Sequence, residues 1–323
     1  MTPRFDVVGL GLNARDQIVE IGAFPGPGGK VRYSTASLAP GGQVAVACVV
    51  CQRHGLRTRY AGRVGDDAAG VLQREELAAE GIDLSALSIV PNTPSQLATV
   101  FVDTRGERTI VFERSPDLAC PLDAVSPSWI ASGEWLLVDG YDAAAAAGAA
   151  RIARATGTRV LSDLSNLYPE QRTHTEDLLH HTDDLICSHR FPESFFSGGN
   201  LLQSLPRFRA TFGIARVAVT LGREGVLALD ASGWHYTPGY VVPETDTTGA
   251  GDVFHGGFLI AQQSGATWTA SLDFAAALAA LNCTARGARG HIATAEEANA
   301  FRKGASRHPV PAWLQSVILA AQS

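Results

Sequence analysis

The chain has no apolar stretch long enough to cross a bilayer, no run of lysine and arginine, and only five cysteines in 323 residues. The first lack excludes a membrane-spanning helix, which needs about 20 consecutive apolar residues. The second, together with a formal net charge of -6, sets nucleic acid aside as a partner, because a phosphate-backbone binder needs clustered cations. An odd cysteine count fits reduced thiols better than a disulfide framework. Cys48 and Cys51 form a Cys-x-x-Cys pair, but they belong to an apolar run from Val44 where i and i+3 share one helix face, so they read as core rather than redox groups. The opening Met1-Thr2-Pro3-Arg4-Phe5-Asp6 leads into an apolar run, Val7 to Leu12, too brief for a signal peptide, and the expectation is a cytoplasmic protein.

What is present is an ordinary globular composition, 46% hydrophobic and 18% charged, sufficient for one large core. Short apolar runs alternate with helical patterns. Strands are expected at Phe5 to Gly9, Arg59 to Val64, Trp135 to Asp139, Thr158 to Ser162, Asp184 to Cys187, Arg216 to Thr220 and Gly225 to Asp230. Helices are expected at Val44 to His54, Ala68 to Glu80, Ala143 to Ala155, Thr175 to His180, Val253 to Ser264, Ala270 to Thr284 and Ala295 to Arg302. This alternation predicts an α/β, Rossmann-like, doubly wound and mainly parallel sheet with both faces covered. Two segments, about 14–39 and 95–115, break it. The second reads as a hairpin turning at Thr104-Arg105-Gly106-Glu107. Strands without covering helices predict a small β lid at one end of the sheet, inserted in a single domain that spans residues 1–323.

Gly9-Leu10-Gly11-Leu12-Asn13-Ala14 matches a dinucleotide fingerprint, which would make the chain a nucleotide-dependent oxidoreductase. That reading requires a helix to start there, whereas the alternating Arg15 to Ile21 predicts a strand.

The most informative stretch is Asp246-Thr247-Thr248-Gly249-Ala250-Gly251-Asp252, which runs small residues into a carboxylate where an apolar helix pattern begins. First-turn amides lack internal acceptors and lie at the positive end of the helix dipole, so Gly249, Ala250 and Gly251 can present bare N-H groups to an anion. Asp252 can then accept a proton from a hydroxyl attacking a phosphoryl group, the amides stabilising charge on the transferring oxygens. The plain alternative is a helix cap.

The segment Asp246 to Phe258 resembles the C-terminal signature of the ribokinase-like (PfkB-type) carbohydrate kinases, and Gly41-Gly42 followed by Gly62-Arg63-Val64-Gly65-Asp66-Asp67 resembles their N-terminal one. That resemblance, from Val7 to Ala300, implies an ATP-dependent sugar kinase with Asp252 as catalytic base and Mg2+ as its metal. It implies Asp16, Asn13, Gly41, Gly42 and Gln43 as substrate ligands, Val46 standing where many members have Asn. Arg108, on a segment similar to a lid strand of these kinases, could reach an anionic acceptor. Thr220, Gly222 and Gly225 resemble the nucleotide-side turn, and the same place is also a simple hairpin turn. Asn282 falls where members line the adenine pocket. Asp246 and Thr248 would face a loop for a monovalent cation such as K+. The usual Asn-x-x-Glu is replaced by Ser188-His189-Arg190-Phe191-Pro192-Glu193, which leaves Glu193, displaced by two positions, as the candidate for the Mg2+ environment. The resemblance also makes a homodimer through the lid an expectation. A nucleoside kinase of the same fold, or a regulatory protein that binds sugar or nucleotide without turnover, stays open beside the sugar kinase.

Overall fold

The computed structural model describes residues 4–104, 108–121, 123, 125–197 and 199–315. The chain opens with β1 (Phe5–Leu10), β2 (Ala14–Ile21), β3 (Tyr33–Gly41), α1 (Gln43–Arg53), β4 (Thr58–Gly65), α2 (Ala68–Ala79) and β5 (Asp83–Val90). Then come β6 (Leu97–Val102), β7 (Arg108–Glu113), the short α3 (Pro127–Ile130), β8 (Gly133–Asp139), α4 (Ala143–Thr156), β9 (Arg159–Leu164) and α5 (Arg172–Leu179). β10 (Asp184–Ser188), α6 (Arg190–Phe196), α7 (Leu201–Phe212), β11 (Arg216–Thr220), β12 (Val226–Asp230) and β13 (Gly233–Thr237) precede the last three helices, α8 (Ala250–Gln263), α9 (Trp268–Asn282) and α10 (Ala295–Gly304).

The main sheet runs β13-β12-β11-β10-β9-β8-β1-β4-β5 and is parallel except for the antiparallel edge made by β12 and β13. Its central strands read as continuous apolar runs because both faces are covered. Successive residues of β1 show this: Val7 packs with α1, α8 and α9 on one side, and Val8 with α4, α5, α6 and α7 on the other. The alanines of α4 are almost all buried, which lets that helix lie close on β8 and β9. Such a sheet gathers its loops at the carboxyl ends of the strands, where α/β proteins bind ligands.

A second sheet, β3-β2-β6-β7, stands apart from the first. β2 pairs antiparallel with β3 and parallel with β6, and β7 returns along β6. Ile18, Val100 and Val102 form its small buried cluster, while Tyr33, Leu38, Ile110, Val111 and Phe112 remain exposed. The expected turn at residues 105–107 lies outside the described residues. β2 follows β1 where a dinucleotide fold would start a helix, so the oxidoreductase reading fails. All five cysteines are buried free thiols.

Candidate active site

The head of α8 is built by contact rather than by a side-chain cap. Gly249 takes the cap position with φ 73, a left-handed conformation that costs other residues about 1–2 kcal/mol, and a Cβ there would lie 2.5 Å from Ala288 Cβ. Ala250 donates to Thr247 O in a turn, and Val253 donates to Gly249 O. Among the described residues the amides of Gly251 and Asp252 meet no acceptor, and a Cβ on Gly251 would meet open space. Gly249 N also meets no acceptor among the described residues, so three unpaired N-H groups, of Gly249, Gly251 and Asp252, lie in the first turn that carries the Asp252 carboxylate, with Ala250 already engaged.

The loop below is braced by Asp246. Its Oδ1 accepts from Thr248 N at 2.8 Å and Thr248 Oγ1 at 2.7 Å, and its Oδ2 accepts from Gly287 N at 2.8 Å. This carboxylate is 3% exposed and has no ion-pair partner among the described residues. Asn282, fully buried, donates to Thr248 O and accepts from His291 N. These two bonds fix the side chain to the loop of Thr248 and to His291 and use two of the four hydrogen bonds its amide can make.

Opposite α8, the substrate candidates converge. The pairing Ala14 with Gly41 and Asp16 with Ala39 sets β2 beside the Gly41-Gly42 corner. A Cβ on Gly41 would lie 2.7 Å from the Asp16 carboxyl carbon, and one on Gly42, at φ 92, would lie 2.6 Å from Asn13 Cα. Backbone contact and a left-handed φ require glycine at Gly42, while a side chain at Gly41 would displace the Asp16 carboxylate. Asn13 is buried and its Nδ2 finds no acceptor, while Asp16, 9% exposed, makes no hydrogen bond or ion pair among the described residues. Buried polar groups are rarely left so, and together a free donor and a free acceptor fit a ligand bearing hydroxyls. Burial pushes Asp16 up to about 6, Asp246 adds to this, and Arg108 and Arg289 oppose it.

Burial and the Asp163 charge push Asp252 up to about 7, with Asp16 raising it further and His255 and Arg108 lowering it. Arg108, on β7, thus acts on both Asp16 and Asp252 from the small sheet. Gln43 reaches Ser165 Oγ at 3.3 Å and donates to Asp163. Thr220, at the end of β11, donates to Cys187 O at 3.4 Å, and Gly222 and Gly225, at φ 60 and 99, form the turn into β12. That turn is both the hairpin and a strand-end loop at the carboxyl end of the sheet. Glu193 lies exposed in the first turn of α6, after β10, and among the described residues no group of three or more metal-type side chains assembles.

Several site residues carry no local sequence signal. Asp139 ends β8 and accepts from Leu12 N at 2.6 Å and Tyr141 N at 3.0 Å; burial pushes it up to about 7. Asp163 ends its run in β9 buried, and burial raises it to about 8. Tyr141 packs at a tilt on Tyr168 and edge-on to Phe112 of β7, at centroid distances of 5.6 and 6.3 Å. Arg114 and Asp142 pair at 2.7 Å beside them. These groups come from different strand ends, and only the sheet brings them to one rim.

The chain matches the family model of the pfkB family carbohydrate kinases over residues 6–295. It belongs to that family. It is 27% identical to a ribokinase of Haemophilus influenzae over 305 residues, covering 90% of this chain and 96% of the relative. It is 30% identical to a fructokinase of Klebsiella pneumoniae over 233 residues, covering 68% and 76%. A solved Arabidopsis thaliana ribokinase, complexed with ribose and ATP, superposes with a TM-score of 0.77 at 22% identity, covering 93% of this chain and 99% of that one. As a pfkB kinase the chain is a phosphotransferase with an alcohol group as acceptor. Among the described residues no helix is long and apolar enough to cross a membrane.

Proposed function

We propose that this pfkB kinase transfers the γ-phosphoryl group of ATP to a hydroxyl of a small carbohydrate, with Asp252 as the base. The observation that carries the reading is the position of the Asp252 carboxylate, pushed up to about 7, beside the unpaired amides of Gly251 and Asp252. A base of that strength is ionised above neutrality and still takes a hydroxyl proton readily. As the acceptor oxygen bonds to phosphorus and the bridging P-O bond breaks, the proton moves to Asp252 and the amides stabilise the migrating charge. Asp16 and Asn13 hold the acceptor's hydroxyls, Gly41 and Gly42 permit its close approach, and Gln43 joins them from the start of α1. Arg108 meets any anionic group on the acceptor. Thr220, Gly222 and Gly225 line the nucleotide side.

Mg2+ bound with ATP would supply neutralisation of the phosphate charge, a role that asks for few protein carboxylates. Glu193 is the carboxylate available near the end of β10. Asp246, buried and without an ion-pair partner among the described residues, fits with Thr248 a monovalent cation such as K+ in the loop facing Gly287. We assign the small sheet as a lid, tied to that loop by the ion pair of Arg286 with Glu20 at 2.6 Å. Its exposed Tyr33, Leu38, Ile110 and Val111 are the surface through which two copies would meet. The aromatic group of Phe112, Tyr141 and Tyr168 favours a nucleoside as the second reading. ATP consumption measured over a panel of pentoses, hexoses, sugar acids and nucleosides tests the proposal: turnover with a free sugar or sugar acid supports it, nucleoside-only turnover gives the second reading, and no turnover refutes both.

A further inference from the structure

His255 is 3% exposed on the α8 turn that carries Asp252, and both of its ring nitrogens face oxygen. Nδ1 lies 2.8 Å from Gly251 O and 3.3 Å from Asp163 Oδ2, and Nε2 lies 3.1 Å from Ile186 O on β10. A neutral imidazole has one N-H, so either neutral tautomer sets a nitrogen lone pair against a carbonyl oxygen. Only a ring with protons on both nitrogens satisfies both carbonyls.

The pair holds the same two protons either way. They sit on Asp163 and one ring nitrogen, or on both ring nitrogens with Asp163 ionised. Taken singly, each group is pushed toward its neutral form by burial, Asp163 upward and His255 downward. Taken together, the two carbonyls decide the placement, and Gln43 from α1 donates to the carboxylate that results. The other groups bearing on this locus are Asp252 beside it, Asp16 and Arg108 acting on Asp252 from the small sheet, Tyr141, which feels Asp252, Asp139 at the end of β8, which feels Asp163, and the Cys187 thiol on β10, which also feels Asp163 and is held well above its usual range by burial.

Resting on the assignment of Asp252 as base, we propose that Asp163 and His255 form a buried carboxylate-imidazolium pair whose carboxylate makes Asp252 a stronger base. His255 keeps Asp163 charged, and the Asp163 charge raises the affinity of Asp252 for the proton it removes from the acceptor hydroxyl. Both are positioning residues: they act through Asp252 and touch no reacting atom.

The test combines a spectrum with two pH profiles. Nitrogen-15 NMR of the wild-type protein at pH 7.5 is expected to show His255 protonated at both nitrogens. Asp163→Asn keeps the shape and removes the charge, so the acid limb of kcat/KM should move to lower pH by about one unit, a tenfold change in the Asp252 proton affinity. His255→Asn should move it the same way, because Asp163, without its cation, takes up a proton. A singly protonated His255 overturns the proposal, as does an unmoved limb in Asp163→Asn or an upward move in His255→Asn. If His255→Asn does not fold, the wild-type spectrum and Asp163→Asn still decide. Full activity in Asp252→Asn would remove the base assignment instead, and the spectrum would still report on the pair.

Discussion

Adding one methyl group to Gly249 tests whether the head of α8 is held by close contact with the loop behind it. In Gly249→Ala the residue keeps φ 73 only at a cost of about 1–2 kcal/mol. The new Cβ would stand 2.5 Å from Ala288 Cβ and 2.6 Å from Ala288 O, against ordinary contacts of about 3.5–4.0 Å. One side must yield by about 1 Å, and overpacking of that kind costs about 1–3 kcal/mol. The sum, about 2–5 kcal/mol, corresponds to a fall in Tm of about 3–7 °C in a chain of 323 residues. The displaced loop also carries Gly287, which holds Asp246, so the bare amides shift with it; a 1 Å misplacement of reacting groups can cost about 100-fold in kcat. Gly251→Ala is the control. Its Cβ meets nothing within 4 Å and α8 gains a better helix former, so Tm should hold or rise slightly. Calorimetry and steady-state turnover on both variants decide the matter. Equal melting temperatures for the two, or a Gly249→Ala enzyme with wild-type kcat, would refute the reasoning.

Asp16→Asn should raise KM for the acceptor by about 10- to 100-fold, the worth of a hydrogen bond to a charged group, with KM for ATP unchanged; an equal rise for both substrates would contradict its placement on the acceptor side. Asp139, 1% exposed, is raised to about 7 by burial, so the folded chain keeps a proton that the unfolded chain releases near pH 4. The stability this group contributes is complete below about 4 and is lost as pH rises through about 7, an effect of up to about 4 kcal/mol for three units. Tm should therefore fall between pH 5 and 8, and Asp139→Asn should flatten that slope; an unchanged slope would show that Asp139 is not protonated at pH 5.

The strand and helix alternation was legible because a doubly covered parallel sheet demands near-continuous apolar strands separated by helices, as Val7 to Leu10 and Trp135 to Val138 show. β5 and α7 were not. β5 is a half-exposed edge without a clean pattern, and α7 carries Pro206 inside it, a residue that normally ends a helix. At the site, Gly249 to Asp252 stood out as a candidate because anion binding demands particular residues in a short segment, whereas Gly41-Gly42 and Asp16 entered only through the resemblance to the family. Asp139, Asp163, Tyr141 and His255 were not readable, since each stands on a different element and acquires meaning only when the sheet sets the strand ends side by side. The scaffold part of Asn282 was hidden for the same reason: its bonds to Thr248 O and from His291 N join residues distant in sequence.

If Asp252 is the proton acceptor at the head of α8, Asp252→Asn removes the base while leaving the shape of the site. Sugar phosphorylation and ATP binding should be measured on the same purified variant. With the base gone, kcat should fall by about 100- to 10,000-fold, the range for removing a positioned base, with ATP affinity within about threefold of wild type. A variant that retains kcat within a few fold of wild type would contradict that role for Asp252.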